Sequence, residues 1–306
     1  MPRVISCPQQ DAIELDDVVE YMFEQRIDTQ DEDSFAEAAP MLKRLSNNRR
    51  FLSDMVANEL KSHCGIQKDN TYGAQVFMLY PPTRKGQGFF MRACFWPSAE
   101  DHFVKVSGTD PFFYHKPHDH NFNFLTVGYH GPGYWSDYYE YSYEDCVGYA
   151  GEAVELKFVE RSRLQRGKVM LYRAFKDIHD QLPADKFSIS LNIMENSIRA
   201  SVMDQYAFNL SERKVAKLIN RMPSDPIFSV AAALGDDGLD EMLLSISRRH
   251  PLDRVRLAAM SARAHACASP ERALEFWAST KGVESQFIRE WRRLRVAELE
   301  SRFELK

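Results

Sequence analysis

The stretch Tyr114-His-Lys-Pro-His-Asp-His-Asn-Phe-Asn-Phe-Leu-Thr-Val-Gly128 holds three histidines and an aspartate within six positions, then continues in a strand-like alternation. His118 and His120 are two residues apart, so on a strand their side chains leave from the same face. Two imidazoles placed in this way are suited to bind one metal ion. The stretch therefore predicts a metal site at the start of a strand, with a satisfied core or surface histidine as the alternative.

Length and composition indicate an ordinary folded protein. The chain has 306 residues, of which 44% are hydrophobic and 12% aromatic, and this is sufficient for one large or two modest domains with a packed core. Its first residues lack the apolar core of a signal peptide, and no apolar run is long enough to cross a bilayer. We therefore expect a cytoplasmic protein that does not enter a membrane.

Cysteine usage and charge exclude several further classes. The five cysteines are scattered without CxxC spacing, which predicts reduced thiols rather than a disulfide framework or a zinc ribbon. They are Cys7, Cys64, Cys94, Cys146 and Cys267. The net charge is −5, and residues 1–206 carry 22 basic and 30 acidic side chains. Neither half of the chain has the charge of a nucleic-acid-binding surface.

The periodicity of apolar residues changes twice and predicts three domains. Residues 11–64 have helical spacing, the chain becomes strand-like from Ala74, and it returns to helical spacing from about Asn209. We therefore predict an N-terminal helical region over residues 1–70, a β domain over 71–206 and a helical C-terminal domain over 207–306. In the last of these, Val215, Leu218 and Ile219 are expected on one helix face.

The β domain contains several predicted strands joined by turns. Residues 75–80 and 89–97 predict a hairpin across the Pro81–Gly88 turn, and further strands are expected at 153–159, 167–175 and 187–194. The turn at residues 130–133 predicts a second hairpin. Its regular register would place Tyr143 opposite His120, Tyr141 opposite Phe122 and Tyr139 opposite Phe124, with the tyrosines facing inward beside the metal.

The β domain resembles the cupin superfamily, in which a small antiparallel β-barrel binds one metal ion. Within it, the sequence is most similar to the cysteine-dioxygenase type, through Cys94-Phe-Trp96, His118-Asp-His120 and Ser188-Ile-Ser-Leu-Asn192. The resemblance covers about residues 75–195. It implies an α+β protein with a cupin jelly roll, and His179, in the connection before the last strand, as the third metal ligand.

Two departures from that family point to different chemistry. General cupins carry a glutamate ligand four or five residues after HxH, where this chain has Phe124 and Leu125. Thiol dioxygenases of this type carry a histidine and a tyrosine in the final strand, where this chain has Asn192 and Met194. Cysteine is therefore not the expected substrate. The resemblance then implies a metal site made of three neutral histidines, with coordination positions on the metal left open for substrate and dioxygen.

Other side chains have candidate roles beside the metal. Tyr141 and Tyr143 are candidate hydrogen-bond donors to substrate or bound oxygen, and Arg92 is a candidate clamp for a substrate carboxylate. The alternatives are that the tyrosines are barrel packing and that Arg92 is a surface ion pair. Asp119 is expected to cap a loop or to pair with Lys116.

Four more polar side chains near the predicted ligands are not expected to be primary metal ligands. Asp177 and Asp180 are candidate partners for the free ring nitrogen of His179, with a solvated loop as the alternative. His115 is a reserve ligand. His130, ten residues along a strand from His120, is too far away to share its metal.

The sequence supports one preferred function and two alternatives. The preferred function is a mononuclear non-haem iron oxygenase that uses O2 on a small amino-acid-like or peptide substrate; Fe(II) is the expected metal, with Mn, Ni or Cu as alternatives. The first alternative is a non-catalytic small-ligand-binding or regulatory cupin. Its helical C-terminal region, in which Arg249–Ala259 resembles a HEAT unit, would dock a protein partner. The second alternative is a metal-dependent isomerase or lyase.

Overall fold

The chain divides into two compact units in the computed structural model. This structure describes residues 2–63, 65, 67–73, 75–82, 86–220, 224–280, 282 and 285–304. The sheet unit comprises Met1–Tyr143 with Ala153–Lys214, and the helical unit comprises Glu144–Glu152 with Val215–Lys306. The division at residues 70 and 206 into three domains stays a prediction.

The sheet unit contains six helices and ten strands among the described residues, and four of the helices precede β2. Its helices are α1 (Leu15–Glu24), α2 (Glu32–Ala36), α3 (Ala39–Asn47), α4 (Phe51–Lys61), α5 (His102–Ser107) and α6 (Arg199–Val202). Its strands are β1 (Arg3–Ile5), β2 (Val76–Tyr80), β3 (Phe89–Trp96), β4 (Phe124–His130), β5 (Trp135–Glu140), β6 (Lys157–Arg163), β7 (Val169–Tyr172), β8 (Asp177–Leu182), β9 (Ser188–Glu195) and β10 (Tyr206–Asn209). The predicted helices within residues 11–64 are therefore confirmed.

The strands of this unit form two main sheets. The larger sheet has the order β1-β7-β4-β9-β3-β2 and the smaller has the order β6-β5-β8, and neighbouring strands in both are antiparallel. The mixture of helices and antiparallel sheets confirms the predicted α+β class. The predicted closed barrel is not found, because in the described part of the chain no strand pairing joins the two sheets into one.

Alternation along the strands of the larger sheet separates two cores. Leu125 and Val127 of β4 face the N-terminal helices, where they pack with Leu42 and Leu45 of α3. Phe124, one residue away, belongs to a second core, which also contains side chains of the smaller sheet. Successive side chains on a strand point to opposite faces, so one face is covered by helices and the other is available for a site.

The first predicted hairpin is confirmed. β2 and β3 pair with Val76 opposite Cys94 and Phe77 opposite Ala93. Part of its turn, residues 83–85, lies outside the described residues, as do Ala74 and Cys64.

The second predicted hairpin is wrong. β4 pairs with β7 and β9 in the larger sheet, whereas β5 pairs with β6 and β8 in the smaller one. The turn between them crosses from one sheet to the other. At its last position, Gly133 has a φ of +89°, its N–H donates to Ser188 Oγ (3.0 Å), and a Cβ there would lie 1.9 Å from the Leu164 carbonyl oxygen. Only glycine permits this close approach of the turn to the Leu164 backbone.

Two other local predictions are also wrong. His179 lies inside β8 rather than in a connection. Val215 and Leu218 lie on strand β11 (Lys214–Leu218) rather than on a helix.

The helical unit contains most of β11 and five helices in the residues described. They are α7 (Ser224–Leu234), α8 (Asp237–Arg249), α9 (Asp253–His265), α10 (Pro270–Ser279) and α11 (Gln286–Glu304). Its core includes Leu257, Met260, Trp277 and Ile288. The helices range from 10 to 19 residues and support no HEAT-type repeat, so the resemblance of Arg249–Ala259 to a HEAT unit is unsupported. None of the helices described combines the length and the apolar character needed to span a membrane.

Candidate metal centre

His118 and His179 are joined directly by their backbones. The N–H of His118 donates to the His179 carbonyl (3.1 Å), and the N–H of His179 donates to the His118 carbonyl (3.0 Å). Residues that exchange both hydrogen bonds across an antiparallel pair have side chains on the same face. The third histidine, His120, is two positions beyond His118 and is therefore on that face as well. Strand β8 and the HxH segment thus bring together three imidazoles, although His179 lies 61 positions after His118 in sequence.

The three imidazole rings form a compact, buried cluster. Their ring centroids are 4.6 Å (His118 to His179), 4.9 Å (His118 to His120) and 5.0 Å (His120 to His179) apart. Each residue offers one ring nitrogen that lies within 4.8 Å of the others, and the residues are only 2–6% exposed. Three converging imidazoles match the ligand preference of Fe, Zn, Cu or Ni.

Burial keeps the three histidines neutral. Desolvation lowers the pKa of His118 to about 4, partly opposed by its hydrogen bond to the Lys116 backbone. Desolvation also lowers the pKa values of His120 and His179 well below the usual value for histidine, and the neighbouring rings lower them further. A neutral imidazole is the form that binds a metal ion.

The hydrogen bonds of the cluster fit a metal ion. His118 Nδ1 donates to the Lys116 carbonyl oxygen (2.6 Å), so the lone pair of the neutral ring is on Nε2. That atom lies 3.2 Å from His179 Nε2. His120 Nδ1 and His179 Nδ1 are buried and have no hydrogen-bond partner among the described residues. A shared metal ion would use the lone pairs that the rings turn toward each other.

The other edge of the HxH segment is held by strand β10. The N–H of Asp119 donates to the Tyr206 carbonyl (3.2 Å), and the N–H of Tyr206 donates to Asp119 Oδ1 (2.6 Å). Asp119 is fully buried, and its other carboxylate oxygen accepts from the Tyr141 hydroxyl (2.5 Å). The expected pairing of Asp119 with Lys116 is wrong, because Lys116 pairs with Asp110 instead (3.2 Å).

Aromatic rings surround the cluster. Phe124 contacts His120 edge-on (4.8 Å between centroids) and stacks on Tyr172 (4.2 Å), which itself contacts His179 (5.0 Å). The Tyr172 hydroxyl shares a hydrogen bond with that of Tyr138 (2.9 Å). Burial raises the pKa of Tyr138 to about 12, so this hydroxyl stays protonated at neutral pH. The position where general cupins place a glutamate ligand is therefore occupied by a packed phenylalanine ring.

Arg92 lies on the same face of the larger sheet as the cluster. It alternates with Phe90 and Cys94, which belong to the core between the sheets, and it is opposite Asn192 of β9. Its guanidinium lies 4.9 Å from the ring of Tyr72, and its Nε is buried without a hydrogen-bond partner. Its positive charge contributes to the lowered pKa of His120, which indicates that it is close to the cluster. No described carboxylate pairs with it.

The tyrosines predicted to face the metal have other partners. Because β5 pairs with β8, it is Tyr138 that lies opposite His179, and Tyr139 lies opposite Ile178. The Tyr141 hydroxyl donates to Asp119, and the Tyr143 hydroxyl donates to the Asp204 carbonyl (3.3 Å). Both reach the segments that support the ligands, and their assignment as catalytic residues stays a prediction.

The aspartates next to His179 do not hold its ring. Asp177 accepts from Arg173 Nε (3.0 Å), and Asp180 Oδ1 is buried without a partner in the residues described. The prediction that they orient the His179 ring is therefore wrong. His115 is exposed, and neither His115 nor His130, which ends β4, belongs to the histidine cluster.

Residue-by-residue reading of the sequence missed Tyr206 and Tyr172. Aromatic residues at alternate positions in Tyr206-Ala-Phe-Asn209 are typical of a strand, but four residues are too few for this pattern to be recognised. Tyr172 was within a predicted strand, at the same alternation as Met170, but no pattern showed which face of that strand would meet the histidines.

We expect the metal-free protein to lose stability as the pH falls from about 6.5 toward 4. Unfolded histidines take up protons near pH 6.5, whereas the buried ones do not, so protonation favours the unfolded state in this window. Burial raises the pKa of the Asp119 carboxyl to about 7, and this group alone would make the folded protein more stable as the pH falls.

The contribution of one histidine is measured by urea unfolding of the metal-free wild type and of metal-free His179→Gln across this pH range. Below pH 6.5 the wild type should lose about 1.4 kcal/mol more per pH unit than this variant. Parallel pH profiles would contradict the expectation.

Comparisons with known proteins give no family. No protein-family model matches this chain, and no curated protein matches it. Among solved structures, hydroquinone 1,2-dioxygenase from Sphingomonas sp. TTNP3 with 4-hydroxybenzoate bound is 7% identical, with a TM-score of 0.26, over 42% of this chain and 69% of that chain. Hydroquinone 1,2-dioxygenase PnpCD in complex with Cd2+ and 4-hydroxybenzonitrile is 12% identical, with a TM-score of 0.24, over 42% and 68%. A structure of the DMSP lyases RdDddP and RnDddQII is 9% identical, with a TM-score of 0.22, over 66% and 82%. Similarities this slight carry no argument about function.

Proposed function

We propose that this chain is a mononuclear non-haem metal oxygenase that uses O2 to oxidise a small anionic substrate. The observation that carries the proposal is the cluster of His118, His120 and His179, in which three buried, neutral imidazoles converge within 4.8 Å. We propose Fe(II) as the bound metal. Bound there, the metal would supply open coordination positions at which an anionic substrate and dioxygen meet.

The chain's own side chains would select and position the substrate. Arg92 brings a guanidinium without a carboxylate partner to the face that carries the histidines, and such a group binds a carboxylate in bidentate fashion. Three neutral imidazoles do not offset that charge, so an anion is favoured over a neutral compound. The rings of Phe124 and Tyr172 exclude water from one side of the cluster. We therefore propose an amino-acid-like or peptide substrate with a free carboxylate.

The roles proposed for Tyr141 and Tyr143 are indirect. Tyr141 holds Asp119, which lies between two of the ligands, and Tyr143 holds the backbone of Asp204, two residues before Tyr206. Both hydroxyls thereby support the segment that presents His118 and His120. This arrangement favours a positioning role over direct donation to substrate.

Oxygen consumption by the iron-loaded protein, with a panel of amino acids, short peptides and other small carboxylates, tests the proposal. We expect uptake that depends on one class of substrate, and a value of kcat/KM about 10- to 100-fold lower in Arg92→Gln, because a charge-assisted hydrogen bond to substrate is lost. Arg161→Gln is the matched control, since Arg161 is exposed and pairs with Asp137. An iron-loaded protein that consumes no oxygen with any of the panel would contradict the oxygenase assignment.

A non-catalytic, ligand-binding role is the second candidate. It rests on the same histidine cluster, because three buried imidazoles can hold a metal ion and a ligand without any turnover. Under this alternative, metal and a carboxylate ligand bind without turnover, and a protein partner binds equally well to metal-free His120→Ala.

A further inference from the structure

A polar cavity lies in the sheet unit, and none of the three clustered histidines lines it. It has a volume of about 500 Å³ and is formed by β1, the last turn of α3 and the loop that leads into β7. Three of the side chains that line it are basic: Lys43, Arg166 and Lys168. Its other lining residues are neutral, and no described carboxylate is among them. Three positive charges thus meet in a region, residues 1–206, in which acidic residues outnumber basic ones by 30 to 22.

The Lys43 side chain reaches the loop that carries the other two basic residues. A side chain at Gly167 would come within 3.5 Å of Lys43 Cε and 3.7 Å of Lys43 Nζ, so the Lys43 ammonium is adjacent to Gly167. Gly167 is the residue between Arg166 and Lys168. Like charges that line one cavity repel each other, and an anion bound among them would relieve this repulsion.

Neutral groups, rather than carboxylates, hold these cations in place. Lys43 Nζ donates to Asn47 Oδ1 (2.5 Å), and Lys168 Nζ donates to Ser162 Oγ (2.6 Å). None of the three cations forms an ion pair with a described residue. Glu160 is near enough to Lys168 to raise its pKa, but burial dominates and lowers that pKa, and Glu160 does not line the cavity. Neutral groups therefore position the two ammonium groups, and no described carboxylate offsets their charge within the cavity itself.

We propose that this cavity binds a phosphate-bearing small molecule, with the phosphate held by Lys43, Arg166 and Lys168. A phosphate carries close to two negative charges and three acceptor oxygens, which suits three convergent cations better than a single carboxylate does. The cavity is also of the size that small-molecule sites have in proteins, so it has room for an organic group beyond the phosphate.

Binding of inorganic phosphate, measured by calorimetry on the full chain, tests the proposal. We expect saturable binding that weakens about tenfold in Arg166→Gln and about tenfold in Lys168→Gln, since each loses one charge-assisted contact. Arg166 is exposed, so its replacement should leave the fold intact, as circular dichroism would verify. Lys157→Gln is the matched control, because Lys157 is an exposed lysine of the same unit outside the cavity. It should bind phosphate as the wild type does.

Two further measurements test whether the cavity is specific for phosphate and whether its ligand is free phosphate or a larger phosphate ester. Sodium chloride at the same ionic strength should not displace phosphate fully; complete displacement, or equal affinity in wild type, Arg166→Gln and Lys168→Gln, would overturn the site. A nucleoside monophosphate that binds more tightly than inorganic phosphate supports the site with a larger organic ligand. Equal binding of the two supports the site with free phosphate as the ligand.

Discussion

Replacing His179 with alanine should abolish stoichiometric metal binding. We expect about one metal ion per chain in the wild type, purified anaerobically with iron, and an affinity at least about 100-fold lower in His179→Ala, since the loss of a ligand's outer partner alone costs about 10- to 100-fold. His118 and His179 are the pair that approach most closely, at 3.2 Å between their Nε2 atoms, so the loss of either ring removes a central ligand. Mass spectrometry of the protein, with competition by a chelator, measures the effect.

His130→Ala is the matched control for this experiment. His130 is an exposed histidine at the end of β4 and is not part of the cluster, so its replacement should leave the metal content unchanged. Retention of full metal content in both His118→Ala and His179→Ala would remove the basis of the proposed site. Binding of zinc or nickel in place of iron would keep the site and change the expected chemistry.

Gly133→Ala should destabilise the sheet unit strongly. The substitution combines a φ of +89° with a Cβ 1.9 Å from the Leu164 carbonyl oxygen, a backbone atom that cannot move aside without shifting the chain. Backbone strain and overpacking together predict a loss of roughly 2–5 kcal/mol in the free energy of unfolding. Urea unfolding at equal metal content gives the value.

Gly86→Ala separates the two contributions to that loss. Gly86 also has a positive φ, +81°, but no described atom lies within 4 Å of the Cβ that alanine would add. We expect a loss of about 1–2 kcal/mol there, from strain alone. If the two variants lose equal stability, the close approach of Gly133 to Leu164 adds nothing to the cost of backbone strain.

Local pattern was sufficient for the metal-binding pair and for the helices. A spacing of two residues places His118 and His120 on one face of any extended segment, whatever that segment pairs with. The helical spacing within residues 11–64 and the alternation of β2 and β3 also depend only on neighbours in sequence. His179 came from a family resemblance, because nothing near it in sequence marks it as a partner of His118.

The register of β4 and β5 could not be predicted from local pattern. The Gly-Pro-Gly signal correctly marks a turn, but whether that turn closes a hairpin depends on Leu164 and Ser188, which lie 31 and 55 residues after Gly133. The hydrogen bond from Tyr141 to Asp119 could not be predicted either, because the wrongly predicted hairpin placed Tyr141 opposite Phe122. Strand β10 is only four residues long and is followed by helical composition, so its pattern was too short to be recognised.

With a metal ion bound as proposed, the backbone pair between His118 and His179 would make metal supply a determinant of folding. In the unfolded chain only the His118-x-His120 pair is local, and the third imidazole arrives when β8 docks. An ion that binds all three therefore binds the native state far better than the unfolded one, and mass action then adds about 4 kcal/mol to stability at a free concentration 1,000 times the dissociation constant. Chains made when the metal is scarce would populate unfolded forms more often, and their abundance in a cell would follow the supply of the ion.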